Sequence, residues 1–138
     1  IVVNTGVFTA GALAGSVTIT AIDAIGNTAT AAITVPGLAL TFDVAGVTQA
    51  AAGGASVITV TANGSGVGFT STIVNNNTVS GYTDLPTIVA TGTDLTITSP
   101  ATLPTAAQGD QTFTITVTDA SNTNTGTLTY VLLKAAAA

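Results

Sequence analysis

The chain has 138 residues, of which 46% are hydrophobic and only 5% charged, against about 25% charged in a typical soluble domain. Its net charge of −5 comes from six aspartates and one lysine, and it has no Glu, Arg, His, Cys, Met or Trp. Without His or Cys there is no zinc or haem site and no Ser-His-Asp or Cys-His nucleophile, so no cofactor is expected. One lysine cannot neutralise a phosphate backbone, which argues against nucleic-acid binding.

Apolar residues are interrupted every one or two positions by Thr, Ser, Asn or Gly. No run approaches the ~20 residues of a spanning helix, and the six aromatics are too few for the girdles of a transmembrane barrel. The expectation is a β protein without a membrane span. Beginning at Ile1 and poor in reactive groups, the chain reads as a mature secreted protein, with an extracellular or cell-surface location.

In chain order, the first block (residues 1–36) contains three strand candidates, at 1–8, 16–22 and 29–35. Pro36-Gly37 forms a joint. Beyond it, β-branched residues alternate with polar ones at the period of a half-buried strand. Inward stripes are expected at Leu38, Leu40, Phe42 and Val44, then at Ile58, Val60 and Ala62, and then at Leu95 and Ile97. Two more follow, Phe113, Ile115 and Val117, and finally Leu128, Tyr130 and Leu132. Turn clusters such as "AAGGAS", "NGSG", "NNN", "TGTD" and "AQGD" punctuate them. No amphipathic helix is expected; the paired glycines of "TQAAAGGA" would break one. Residues 37–134 thus hold about seven strand candidates, enough for an immunoglobulin-like β-sandwich of about 100 residues. Residues 135–138 read as a tail.

One phrase occurs twice. "VTITAIDAIGNTATAAITV" and "FTITVTDASNTNTGTLTYV" are each a strand, an Asp-led polar turn and a return strand, with Asp119 lying 96 residues after Asp23. In an immunoglobulin-like sandwich this is the last hairpin. The stretch "GVFTAGALAGSVTITAIDAIGNTATAAITV" resembles the C-terminal half of a bacterial immunoglobulin-like domain, the module repeated in tandem in surface proteins. "LTITSPATLPTAAQGDQTFTITVTDASNTNTGTLTYVL" resembles the same half of another such domain. The resemblance implies one whole sandwich preceded by part of a second. Three strands without an opposing sheet leave Val17, Ile19, Ala21 and Ile33 facing water, and such a fragment is not stable alone. It must be covered by the rest of the chain, by further residues or by another copy.

Candidate sites are few. Asp23 and Asp119, with Asn27 near the first and Asn122 and Asn124 near the second, are candidate calcium ligands. Calcium, however, takes 6–8 oxygens, and an Asp opening a tight turn more often accepts from its own backbone two residues on. Asn63-Gly64-Ser65 and Asn76-Asn77-Thr78 have the form of glycosylation acceptors and fall in expected turns. Lys134 is considered for a lysine–asparagine cross-link and read as a solvated terminal lysine. Paired aspartates could act as acid and base on a glycoside, but here they are scattered singly, so no enzyme is expected.

Two functions are carried forward. In the first, the chain is a structural subunit of an extracellular filament, pilus or surface layer. It polymerises with copies of itself by strand complementation, as in the bacterial and archaeal surface filaments whose composition it resembles. In the second, it is a tandem module of a cell-surface adhesin that binds a protein or glycan through loops 63–68, 75–87 and 99–110.

Overall fold

A computed structural model describes residues 15–136; the expected strand at 1–8 lies outside them. Every regular element described is a strand. The order is β1 (Gly15–Ile22), β2 (Thr28–Val35), β3 (Thr41–Phe42), β4 (Gly46–Gln49), β5 (Ala55–Ala62), β6 (Phe69–Asn75), β7 (Thr87–Thr91), β8 (Asp94–Thr98), β9 (Gln111–Asp119) and β10 (Thr125–Leu132). Among the described residues no helix is long and apolar enough to cross a membrane.

Eight of the strands form two four-stranded sheets, in the orders β4-β10-β9-β6 and β3-β5-β8-β7. Their inward stripes meet in one core. Leu40, Ile58, Val60, Leu95 and Ile97 come from one side, and Phe113, Ile115, Val117, Leu128, Tyr130 and Leu132 from the other. Each fully buried side chain of this kind stabilises the fold by roughly 1.5–3 kcal/mol. The Phe113 and Tyr130 rings, directly paired across β9 and β10, lie 6.1 Å apart at 54°, a tilted geometry that suits the ring quadrupoles. On the outer face of β9 and its neighbours the polar half of the alternation forms a threonine array. Thr118, Thr116 and Thr114 stand between Thr125, Thr127 and Thr129 of β10 and Thr70, Thr72 and Val74 of β6.

Two expectations need correcting. The stripe Leu38, Leu40, Phe42, Val44 is not continuous: Leu40 is buried and Phe42 packs against the core, but Leu38 and Val44 are exposed. The cause is a change of sheet. Residue 39 bridges to Thr125, β3 then runs antiparallel to β5, the register slips between Thr41 and Phe42, and β4 continues parallel to β10. Asp43 makes the corner, exchanging bonds with Thr59: its amide donates to Thr59 O (3.0 Å) and its Oδ1 accepts from the Thr59 amide (3.0 Å). One sequence stripe therefore becomes two short strands, and the block has eight strands rather than seven. Likewise, Ala62 is exposed at the end of β5. The strap crosses so close to β10 that a Cβ on Gly126 would stand 2.7 Å from Leu40 O and from the Phe42 ring.

β1 and β2 form a separate two-stranded antiparallel sheet that pairs with no other described strand. It lacks any buried residue.

Candidate functional site

The two Asp-led turns open in the same way, the Asp Oδ1 accepting from the amide two residues on, but the Asp23 amide donates to Asn27 O and the Asp119 amide to Asn124 O, one residue further. Asp23 Oδ1 accepts from the amides of Ile25 (2.9 Å) and Asn27 (2.8 Å), and its Oδ2 accepts from Asn27 Nδ2 (2.7 Å). The Asn27 side chain, followed by the backbone donors, holds this carboxyl below its usual range. Asp119 Oδ1 accepts from the Ser121 amide (2.8 Å) and from Ser65 Oγ (2.9 Å), and Oδ2 accepts from the Ser65 amide. Burial pushes this carboxyl up, but the Ser65 and Ser121 amides and the Ser65 hydroxyl outweigh it and leave the pKa lowered. Asp23 is thus occupied in closing its own turn, and Asp119 in closing its turn and in holding Ser65 of the β5–β6 loop. Among the described residues no cluster of three acidic, His or Cys side chains occurs.

Asp119 belongs to a larger polar knot that the sequence did not announce. Asn124, also buried, donates from Nδ2 to Asn63 O (2.7 Å) and accepts at Oδ1 from the Leu38 amide (2.9 Å). The β9–β10 turn is thereby tied to the β5–β6 loop and to the chain entering β3. Asn63 sits in this knot with a left-handed backbone, φ 64°. Its Nδ2 donates to Ala39 O at 2.7 Å, and the hydroxyl of its sequon, Ser65, is spent on Asp119. Asn76 is exposed beside the threonine array, with its Nδ2 3.0 Å from Thr114 Oγ1. Both asparagines are exposed and both side chains are hydrogen-bonded; Asn63 differs in its left-handed backbone and in the engagement of its sequon hydroxyl with Asp119.

Lys134 lies 3.5 Å from Asp110 Oδ1 with both side chains about half exposed, a solvated pair worth little. The Lys134 amide also donates to Asp110 Oδ1 (2.9 Å), and the Ala135 amide donates to Pro104 O (2.8 Å). The chain is anchored one residue into the expected tail.

The most unusual surface is the β1–β2 ribbon. Its register pairs Gly15 with Val35, Val17 with Ile33, Ile19 with Ala31 and Ala21 with Ala29. These eight residues share one face, and none has a polar side chain. The other face pairs Ser16 with Thr34, Thr18 with Ala32, Thr20 with Thr30 and Ile22 with Thr28. Val17 and Ile19 are 44% and 40% exposed.

The second hairpin pairs Gln111 with Leu132, Phe113 with Tyr130, Ile115 with Leu128 and Val117 with Gly126. All eight are buried. Counted rung by rung away from each turn, the four pairs of the first hairpin correspond to these four, although the second turn is one residue longer: Ala29 lies 6 residues after Asp23 and Gly126 lies 7 after Asp119. The repeat is therefore one of ladder pairing as well as of sequence, and among the described residues the first copy leaves mostly exposed the face that the second buries, with only Ile33 and Val35 half-buried. Four members of this face, Val17, Ile19, Ala21 and Ile33, are those expected from the sequence, and the other four are Gly15, Ala29, Ala31 and Val35. Pairing the strands outward from the Asp turn would have found them.

In comparison with known proteins, no family model, no curated protein and no solved structure matches the chain. What stands is an all-β protein built of several sheets, one of which is an amphipathic hairpin with no buried residue, paired with no other described strand.

Proposed function

We propose that the chain is a structural subunit of an extracellular filament, pilus or surface layer, assembled by β-strand complementation between copies. The observation that carries this reading is the β1–β2 ribbon, with its eight-residue apolar face uncovered among the described residues. A two-stranded hairpin is marginal in water by itself, and an exposed apolar face of this kind marks an interaction surface. A neighbouring copy covering it would gain both apolar burial and ladder bonds, and a head-to-tail contact repeated from copy to copy gives an open polymer. The role is mechanical rather than enzymatic, and it suits a secreted chain with so few reactive groups.

The finer fold assignment belongs to the same proposal: residues 37–134 form an immunoglobulin-like sandwich. It is supported by the two sheet orders, by the first strand changing sheets, and by the hairpin β9–β10 closing the domain. The ribbon then corresponds to the closing hairpin of a second such unit. Deleting residues 1–35 should leave 37–134 folded, with a cooperative thermal unfolding transition, but unable to polymerise. A truncated chain that still forms filaments under the electron microscope would refute the mechanism.

The repeated hairpin also favours a second reading, a tandem module of a surface adhesin that binds a protein or glycan. In that case the ribbon is covered within one polypeptide, by the remainder of its own unit, and the protein stays monomeric at every concentration.

A further inference from the structure

The sandwich closes itself on one flank only. There β3 pairs with β5 and β4 with β10, so one strap bonds to both sheets. The opposite flank is bounded by β6 and β7, each, among the described residues, a terminal strand of its sheet. Natural edge strands carry charges, prolines or bulges, or are kept very short, because a free row of amides and carbonyls pairs with any suitable strand. β7 has five residues and follows Pro86. β6 is Phe-Thr-Ser-Thr-Ile-Val-Asn, seven residues with no charge, Pro or Gly, and it carries none of these protections.

The faces of β6 match those of the ribbon. Phe69 and Ile73 pack against the core, while Thr70 and Thr72 continue the threonine array. β1 divides in the same way, with Val17 and Ile19 on one face and Thr18 and Thr20 on the other. β1 also repeats β9, the strand that β6 already pairs on its inner side. Resting on the complementation reading above, we infer that β1 of one copy pairs with the free edge of β6 in a second copy. β6 then lies between two strands of like pattern. The apolar side of the ribbon extends the inner face of the sheet, and its threonine side extends the outer array. The eight residues of β1 span the seven of β6.

Two substitutions separate donor from acceptor. Ile19→Lys charges the apolar face of the ribbon. Ser71→Lys places an inward-pointing charge on β6 at an exposed position opposite Val117, the device by which natural edges are blunted. The full-length variants are compared with the unaltered chain by sedimentation velocity, with circular dichroism to confirm folding. The unaltered chain is expected to form polymers and each variant alone only monomers. An equimolar mixture should stop at dimers, because Ser71→Lys retains a sound donor and Ile19→Lys a sound acceptor. Polymers of Ser71→Lys, or a mixture that stays monomeric, would overturn the β6 assignment while leaving complementation standing. Polymers of Ile19→Lys, or an unaltered chain that is monomeric with its ribbon amides protected by its own residues, would overturn both.

Discussion

At the scale of the residue, the sandwich rests on a few buried polar groups whose satisfaction is uneven. Asp119 is wholly buried and accepts from the partly buried amides of Ser65 and Ser121 and from the Ser65 hydroxyl, so removing its carboxylate takes the acceptor from all three. Asp119→Ala should cost roughly 3 kcal/mol, the scale of losing charge-assisted bonds in a buried site, measured by urea unfolding of the chain. The pH dependence has a definite sign. The folded carboxyl titrates below its ordinary 3.8, so its contribution is full above that value and is lost as pH falls through the lower folded pKa. Asp119→Ala should flatten that part of the acid limb of the stability profile.

Tyr130 presents the opposite case. Among the described residues its buried hydroxyl has no hydrogen-bond partner, and burial pushes its pKa up against a smaller opposing influence from Ser99. The Ser99 hydroxyl already donates to Ala51 O (2.6 Å) and accepts from the Gly54 amide (2.9 Å). Tyr130→Phe keeps the ring and removes the stranded oxygen, so thermal unfolding should show equal stability or a gain of up to about 1 kcal/mol. A loss larger than that would mean the oxygen has a partner in solution.

At the scale of the element, strands were legible wherever alternation ran unbroken. Phe113, Ile115 and Val117 are all buried, as are Leu128, Tyr130 and Leu132, and both Asp turns bond their own backbone two residues on. Turn chemistry is local, and so is the signal. The β3–β4 strap was not legible, because its change of sheet depends on Asp43 meeting Thr59 and on the space left by Gly126, both distant in sequence. Asn124 was noticed only as a neighbour of Asp119. Its bonds to Asn63 and to the Leu38 amide span 61 and 86 residues, and no short-range pattern foretells them.

At the scale of the whole molecule, the lesson concerns what the repeat means. In the sequence the two phrases differ in turn length, so at the 96-residue spacing of the turn aspartates Ala29 and Ala31 fall on Thr125 and Thr127, whereas in the ladders they hold the places of Gly126 and Leu128. Only the pairing registers make them equivalent. Once aligned, they assign the ribbon an inner side, buried in one copy of the motif and mostly exposed in the other among the described residues, and that contrast is what the proposed complementation rests on. β6 supplies an unprotected edge of fitting length, something its composition alone could not disclose, because edge and centre strands in this chain share the same Thr-rich alternation.

The central claim is that the ribbon face is covered by another copy, and amide hydrogen exchange of residues 15–35 measures this directly. At concentrations where the chain is monomeric, these amides should exchange quickly while β9 stays protected. In the assembled polymer, protection of 15–35 should rise toward that of β9. Ribbon amides that exchange equally fast in monomer and polymer would contradict the account.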